Sequence, residues 1–521
     1  MNPSHLTPHT SHLTPLLRLL YKNKVLMNIF FLLSAFCFLP FSAVAQKNKP
    51  AEPVTKIVFN VKDSQDDKVF LVTTFRDKHL LKDSAFNTGK GVFVFENEKE
   101  YDPGMYALVS SKKTIMLNFI MDGSQKFTYN IDTTGNVRNF SVVGSPENAE
   151  MLRFQQKTSE AQKNMMEWNK KRKEFEDSEI LDSVDFYTDI MKNLDSEMQQ
   201  FIVELIEKNP DYLFSKMQKS FRDIEIPDPP VFEDGTVDSL FQSFYLRNHY
   251  WDNFDLTDRR FLFLPSFEPR LNNYVKKVLW YQDVDTINKY LDIMLKKASP
   301  DSLMYRFFVE YFSREFENNK MIGHDAIFVH IVNNNQLKGK CTWMDEDLLK
   351  KYQMRIEDLE PVLIGKKTVE MVLPDTTQTN DYKQWYSSYK MPKNYRVLWF
   401  YDHACPTCKK EALELKSVVD SLESIGQLDF DVYAVCRTDD IVRWKKYIRE
   451  NEFTWINVGG NQGNVDWYKE FHITSTPQFY IINREHIIIL NKDITKSLIP
   501  QFLIEYERVE TEKERLKNRK Q

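Results

Sequence analysis

Between residues 54 and 145 apolar and polar positions alternate in short runs, Ile57-Val58-Phe59-Asn60-Val61 and Val92-Phe93-Val94-Phe95 among them, with others at 69–73, 105–109 and 126–131. A period of two sends every second side chain to one face, the pattern of strands that bury a single side. Asp102-Pro103-Gly104 and Asp122-Gly123 supply turns between the runs. A small antiparallel β-sandwich or barrel is predicted over 54–145, with no catalytic constellation in it. From 147 to 360 the period becomes helical. One long amphipathic segment is expected over 147–208, ending at Asn209-Pro210, and Pro227-Asp228-Pro229-Pro230 reads as a loop. Helices resume over 272–297, after Ser299-Pro300 as N-cap and first turn, and over 346–359. A stripe of Trp168, Phe175 and Ile180 and a cluster around Trp251 are expected to build core.

After residue 361 the pattern changes again. The apolar run Val397-Leu398-Trp399-Phe400-Tyr401 reads as a strand that leads into a helix, residues 429–436 as a second strand, 439–451 as a helix, and 479–483 as a further strand behind Thr476-Pro477. Alternating strands and helices predict a mainly parallel sheet in a C-terminal α/β domain at 361–508, followed by a charged tail at 509–521. The whole is a multidomain α+β chain: β-rich domain, helical domain, α/β domain.

At 521 residues the chain exceeds what one core can organise. Its 28% charged residues and net charge of -5 show no clustered basic face, so nucleic acid is not an expected partner. Lys22 and Lys24 precede an apolar run at 25–41 that ends in Ala43-Val44-Ala45, the layout of a secretory signal over 1–45. The long stretch ahead of it leaves open a later start or retention as an anchor. Ser34-Ala35-Phe36 before Cys37 does not fit a lipoprotein signal. No other run approaches the roughly 20 apolar residues that cross a bilayer. A periplasm or cell-envelope location is the expectation. Cys37 leaves with the signal, and Cys341, Cys405, Cys408 and Cys436 remain, too few for a disulfide-stapled scaffold.

Cys405-Pro406-Thr407-Cys408 sits where the strand meets the helix. Only a thiolate attacks a disulfide, and a free thiol with a pKa of about 8.5 is mostly protonated at neutral pH. At a helix N-cap, unpaired N–H groups and the positive end of the helix dipole favour the anion, with Lys409 and Lys410 nearby, so Cys405 is the expected nucleophile. Pro406 suits the first helical position, and Cys408, on the same face, resolves a mixed disulfide.

These features resemble the thioredoxin fold and, within it, the TlpA/ResA-type thiol-disulfide oxidoreductases of bacterial envelopes. Cys405 and Cys408 fall on that family's CxxC, Thr476-Pro477 on its threonine and cis-proline, Glu411 on the acid that follows CxxCKK in ResA-like members, and Leu363-Ile364-Gly365-Lys366 on its entry. Asp83-Ser84, Pro103-Gly104-Met105-Tyr106 and Val143-Gly144-Ser145-Pro146-Glu147-Asn148 resemble the N-terminal β-domain of such proteins in Bacteroidetes. His249-Tyr250-Trp251-Asp252-Asn253-Phe254-Asp255 and Asp325-Ala326-Ile327-Phe328-Val329-His330 resemble a helical module of the same group. The resemblance implies substrate contacts from Thr476, Pro477, Pro406 and Thr407. Ala404 replaces the usual tryptophan, and Trp399 the buried acid of thioredoxin itself, so proton transfer would fall to Glu411.

Each residue has a plainer alternative. The pair Cys405 and Cys408 could be half of a zinc site, but only His403 and Cys436 are near candidates for the missing ligands, and no metal is expected. Peroxidase chemistry calls for a threonine or serine where Asp402 stands. Cys436 is either a third thiol or, as expected, a small buried hydrophobe. Cys341 is expected to be free, with pairing to Cys436 the alternative. His403 either stabilises the Cys405 thiolate or is a solvated loop residue, and Glu411 is either a proton acceptor or a surface acid. His324 and His330 lack metal-ligand spacing. The expected function is thiol-disulfide exchange, in the reductase direction, with disulfide- or thiol-bearing envelope proteins. An upstream membrane electron donor or oxidant serves it, and the Cys405-Cys408 disulfide is the only redox group. The alternative is a non-enzymatic envelope binding protein that uses the thioredoxin fold as a docking surface.

Overall fold

The computed structural model describes residues 53–76, 78–121, 123–375, 384–459 and 463–519; the expected signal at 1–45 lies outside them. The chain is a mixed α+β protein with a β-rich N-terminal region, a helical middle and a thioredoxin-like C-terminal region. Two four-stranded sheets form the first. One orders Val92–Asn97, Thr55–Lys62, Lys126–Asp132 and Ser141–Val143; the other orders Lys78–Phe86, Lys68–Phe75, Gly104–Ser110 and Ile115–Met121. Both are open, so the arrangement is a sandwich and not a barrel. Pairing is antiparallel except between Thr55–Lys62 and Lys126–Asp132, which run parallel. Phe59, Phe93, Phe119 and Tyr129 fill the space between the sheets, with the Phe59 and Phe119 rings 5.3 Å apart. The sequence pattern had no run for Lys78–Phe86, because that strand is largely exposed at a sheet edge and needs no apolar alternation.

The helical region departs from the single segment expected at 147–208. Helices Pro146–Asp177 and Leu181–Lys208 pack along each other, and Glu179 reverses the chain between them with a φ of 57°. Trp168 and Phe175 are only half-buried and Ile180 is exposed, so this stripe is no core; Phe175 stacks on Tyr187 of the partner helix. Trp251 is core, packed with Phe254, Phe267 and Tyr274. The helix expected at 272–297 is broken into Phe267–Asn273, a π-turn at Tyr274–Leu279, and Val284–Ala298, whose cap is Asp283. The next helix, Ser302–Glu317, is capped by Asp301, which accepts the Leu303 and Met304 N–H groups. Ser299 instead turns its hydroxyl back to the Lys296 carbonyl, because a carboxylate two residues on is the stronger acceptor. His324–Asn334 and Glu346–Leu359 complete this region.

The C-terminal region is built on a seven-stranded sheet ordered Gln384–Ser387, Val372–Asp375, Ile456–Gly459, Phe430–Cys436, Tyr395–Tyr401, Gln478–Ile482 and Ile488–Leu490. It is not mainly parallel. Tyr395–Tyr401 with Phe430–Cys436 and the latter with Ile456–Gly459 are the parallel pairs, and the outer pairings are antiparallel. Helical crossovers, which parallel pairing requires, occur only between 395 and 459; Gln478–Ile482 and Ile488–Leu490 are joined by a short hairpin. All seven residues of Tyr395–Tyr401 are buried. Among them Arg396, 0% exposed, grips Asp431 through Nε at 2.6 Å and Nη2 at 2.5 Å and donates to the carbonyls of Ser387, Ser388 and Lys390.

Asn491, just beyond the last strand, donates to Asp325 Oδ2 at 2.6 Å and to the Val362 carbonyl at 3.0 Å, tying the sheet edge to the helical region. Gly365, with a φ of 88°, donates its N–H to the Ile488 carbonyl as the chain enters this region. Helix Ile499–Arg519 runs without a break through residue 508, so the charged tail continues a helix. Among the described residues no helix is long and apolar enough to cross a membrane.

Candidate active site

Strand Tyr395–Tyr401 ends in Asp402-His403-Ala404, a turn fixed by Asp402. Its carboxylate accepts the Ala404 N–H at 2.7 Å, and its carbonyl accepts the Cys405 N–H at 3.1 Å. Cys405 therefore takes an extended conformation, φ -71° and ψ 124°, at the N-cap of helix Pro406–Ser424. Sulfur replaces the usual oxygen cap: Cys405 Sγ accepts the Cys408 N–H at 3.5 Å. Cys405 is half-buried, whereas Cys408 is 0% exposed.

The two thiols consequently differ in acidity. The hydrogen bond from the Cys408 N–H, opposed by partial burial, lowers the Cys405 thiol below its ordinary value of 9.0. Burial pushes Cys408 up to about 11. The backbone at the helix start carries the effect on Cys405; Lys409 and Lys410 are exposed.

Across from the dithiol, the Thr476-Pro477 bond is cis, and the Thr476 carbonyl lies 3.9 Å from Cys405 Sγ. Thr476, 71 residues downstream of the nucleophile, is thus brought beside it together with the proline that follows. Pro406 and Thr407 are exposed on the near side of the same surface.

Trp399, in the strand that leads to the dithiol, is fully buried and stacks on Tyr401 with ring centroids 4.3 Å apart. An indole N–H only donates, so Trp399 offers no base. Glu411 lies a turn beyond Cys408 on the same helix, and burial raises its carboxyl above the ordinary 4.5 even with Lys496 Nζ at 3.1 Å pulling the other way. Lys496 gives no sign of itself in the sequence, since a single lysine in a polar loop is ordinarily solvated.

His403, read from the sequence either as a stabiliser of the Cys405 thiolate or as a solvated loop residue, has Cys436 and Asp402 as its polar neighbours. Its Nδ1 is 4.0 Å from Cys436 Sγ and 3.7 Å from Asp402 Oδ1, because the turn directs the ring toward the neighbouring strand end. Cys436 is buried, and burial raises its thiol well above the ordinary range, the behaviour of a small hydrophobe. Cys341, Cys405, Cys408 and Cys436 are all free, so Cys341 and Cys436 do not pair. Cys341 is buried in the helical core, not exposed in its polar stretch, and burial lifts it to about 11.

Comparison with known proteins finds two family matches. Residues 365–490 match the AhpC/TSA family, and residues 215–360 match a domain family of unknown function, DUF5106. No curated protein matches the chain. Among solved structures, a thioredoxin-like protein from Bacteroides caccae is 17% identical with a TM-score of 0.39, over 54% of this chain and 99% of that one. The thioredoxin domain of a thiol-disulfide oxidoreductase from Bacteroides vulgatus is 18% identical with a TM-score of 0.22, over 26% and 94%. A thiol:disulfide interchange protein from a Bacteroides species is 19% identical with a TM-score of 0.23, over 26% and 86%. Residues 365–490 are thus an AhpC/TSA thioredoxin-like region, with the Cys405-Cys408 pair just beyond the end of strand Tyr395–Tyr401.

Proposed function

We propose that this protein is a thiol-disulfide oxidoreductase of the TlpA/ResA type that works in the bacterial envelope, reducing disulfides of client proteins. One observation carries the reading: the same CxxC holds a half-buried thiol that accepts the Cys408 N–H at the helix start and, one turn on, a fully buried thiol. Attack and release are thereby assigned to different sulfurs.

Cys405 thiolate attacks a client disulfide; a Cys405–client bond forms and one client thiolate leaves. Cys408 then gives its proton to the Glu411 carboxylate and attacks Cys405 Sγ. The Cys405–Cys408 disulfide forms, the second client thiolate leaves, and two electrons have passed to the client. The Thr476 carbonyl, Pro477, Pro406 and Thr407 border the place where an extended client segment would lie. The dithiol is the only redox group required, and a membrane electron donor returns it to the reduced state. Asp402 spends its carboxylate on the turn and supplies no hydroxyl for peroxide, which disfavours a peroxidase.

The test is Cys408→Ser, incubated with proteins bearing exposed disulfides. A mixed disulfide should accumulate on Cys405 and vanish in Cys405→Ser. No adduct, with function in cells retained by Cys405→Ser, would instead mean a docking protein. A glutathione titration fixes direction: a midpoint near about -270 mV marks a reductase, and one near about -120 mV an oxidant.

A further inference from the structure

Lys496 is a lysine with 1% of its surface exposed, in a segment that begins at the sheet edge and ends above the dithiol helix. Its ammonium is 3.1 Å from Glu411 Oε2, makes a short ion pair with Asp493, donates to the Ile494 carbonyl at 3.3 Å and lies 4.6 Å from the centre of the Phe479 ring. Phe479 is two residues beyond the cis-proline, so this one cation lies against both the dithiol helix, through Glu411, and the strand that follows the cis-proline. The segment is anchored at its other end, where Asn491 and Lys492 reach Asp325 of the helical region at 2.6 and 3.8 Å.

A buried cation carries a heavy desolvation cost unless it is matched. A surface lysine would satisfy Asp493 equally well, so the burial of Lys496 against Glu411 calls for a further reason. The charged groups that face Glu411 are Lys496 and Asp493 from this segment and Glu414 from its own helix. Lys496 alone favours the carboxylate; burial, Asp493 and Glu414 all favour the protonated acid.

We infer that Lys496 is a positioning residue for thiol-disulfide exchange: it keeps Glu411 ionised and in place to take the proton of Cys408 in the resolving step. This rests on the function proposed above. In that step the Cys408 S–H proton passes to the Glu411 carboxylate, the Cys408–Cys405 bond forms, and the bond from Cys405 to the client sulfur breaks with release of a thiolate. Without Lys496 the carboxyl holds its proton to higher pH, and resolution fails in acid where the wild type still proceeds.

The experiment mixes the reduced protein with dithiobis(nitrobenzoate) and follows two thionitrobenzoate releases, the first from attack by Cys405 and the second from attack by Cys408, as a function of pH. In Lys496→Met the acid limb of the second release should move up by about one pH unit or more, while the first release keeps its profile. Lys496→Arg should restore most of the wild-type limb. Asp493→Asn, at a side chain 55% exposed, should move the limb the opposite way, to lower pH. Glu411→Gln should remove the limb and make Lys496→Met silent on that background. A second release whose acid limb is the same in wild type, Lys496→Met and Asp493→Asn overturns the inference alone. A wild type with no second release at any pH overturns the oxidoreductase reading, and this inference with it.

Discussion

Strands Thr55–Lys62 and Tyr395–Tyr401 are both interior strands of their sheets, yet they are buried differently. The first alternates buried and accessible positions, whereas the second is buried at every residue. A sandwich strand faces core on one side and water on the other, and its ends simply turn to the next strand. A strand covered on both faces has nowhere to show a side chain except at its end, where the turn into a helix brings backbone N–H groups to bear on whatever sits there. Cys405 is at that end. Chemistry collects where two-sided burial stops, and the sandwich, buried on one side only, has no such place.

The contrast breaks most severely at Arg396. Asp431→Ala removes the carboxylate from a fully buried guanidinium, and breaking such a pair costs about 3–5 kcal/mol. Chemical denaturation should show that loss together with loss of the difference in reactivity between the two site thiols. A change below about 1 kcal/mol would mean that the carbonyls of Ser387, Ser388 and Lys390 hold the guanidinium unaided. Next in size, Ile57→Ala in the sandwich should cost about 2–4 kcal/mol by opening a cavity, with Cys405 alkylated at its wild-type rate across pH. An altered alkylation profile would show the two regions to be energetically one. The gentlest test leaves the fold untouched. Iodoacetamide should label Cys405 already below pH 9.0, its thiolate fraction falling only as the pH drops beneath the lowered value, and reach Cys408 only near pH 11. Simultaneous labelling of both sulfurs would erase the asymmetry.

The dithiol was legible because its determinants are local: a saturated apolar strand, a cysteine at the cap, a proline at the first helical position. Thr476-Pro477 was legible only through resemblance, since nothing between residues 408 and 476 encodes their approach to Cys405. Lys496 escaped because its neighbours, Glu411 and Phe479, are remote in sequence from the loop that carries it. His403 was left open between a partner of Cys405 and a solvated residue, because adjacency along the chain does not fix where a ring points; its nearest polar neighbours are Cys436 and Asp402. The breaks at Glu179 and Asp283 and the cap at Asp301 show the limit of helical periodicity, which finds a helix's face more readily than its ends.

Cys408 lies wholly beneath the surface, one turn from an accessible Cys405. Reactive sulfur exposed to peroxide climbs from sulfenic to sulfinic acid, and the second rung is irreversible for most proteins. On the function proposed above, a sulfenic acid on Cys405 would meet a neighbouring thiol able to condense with it, expelling water and returning the pair to a disulfide, while burial keeps the inner sulfur from the oxidant. The depth that separates the two cysteines would then also guard against permanent oxidative damage.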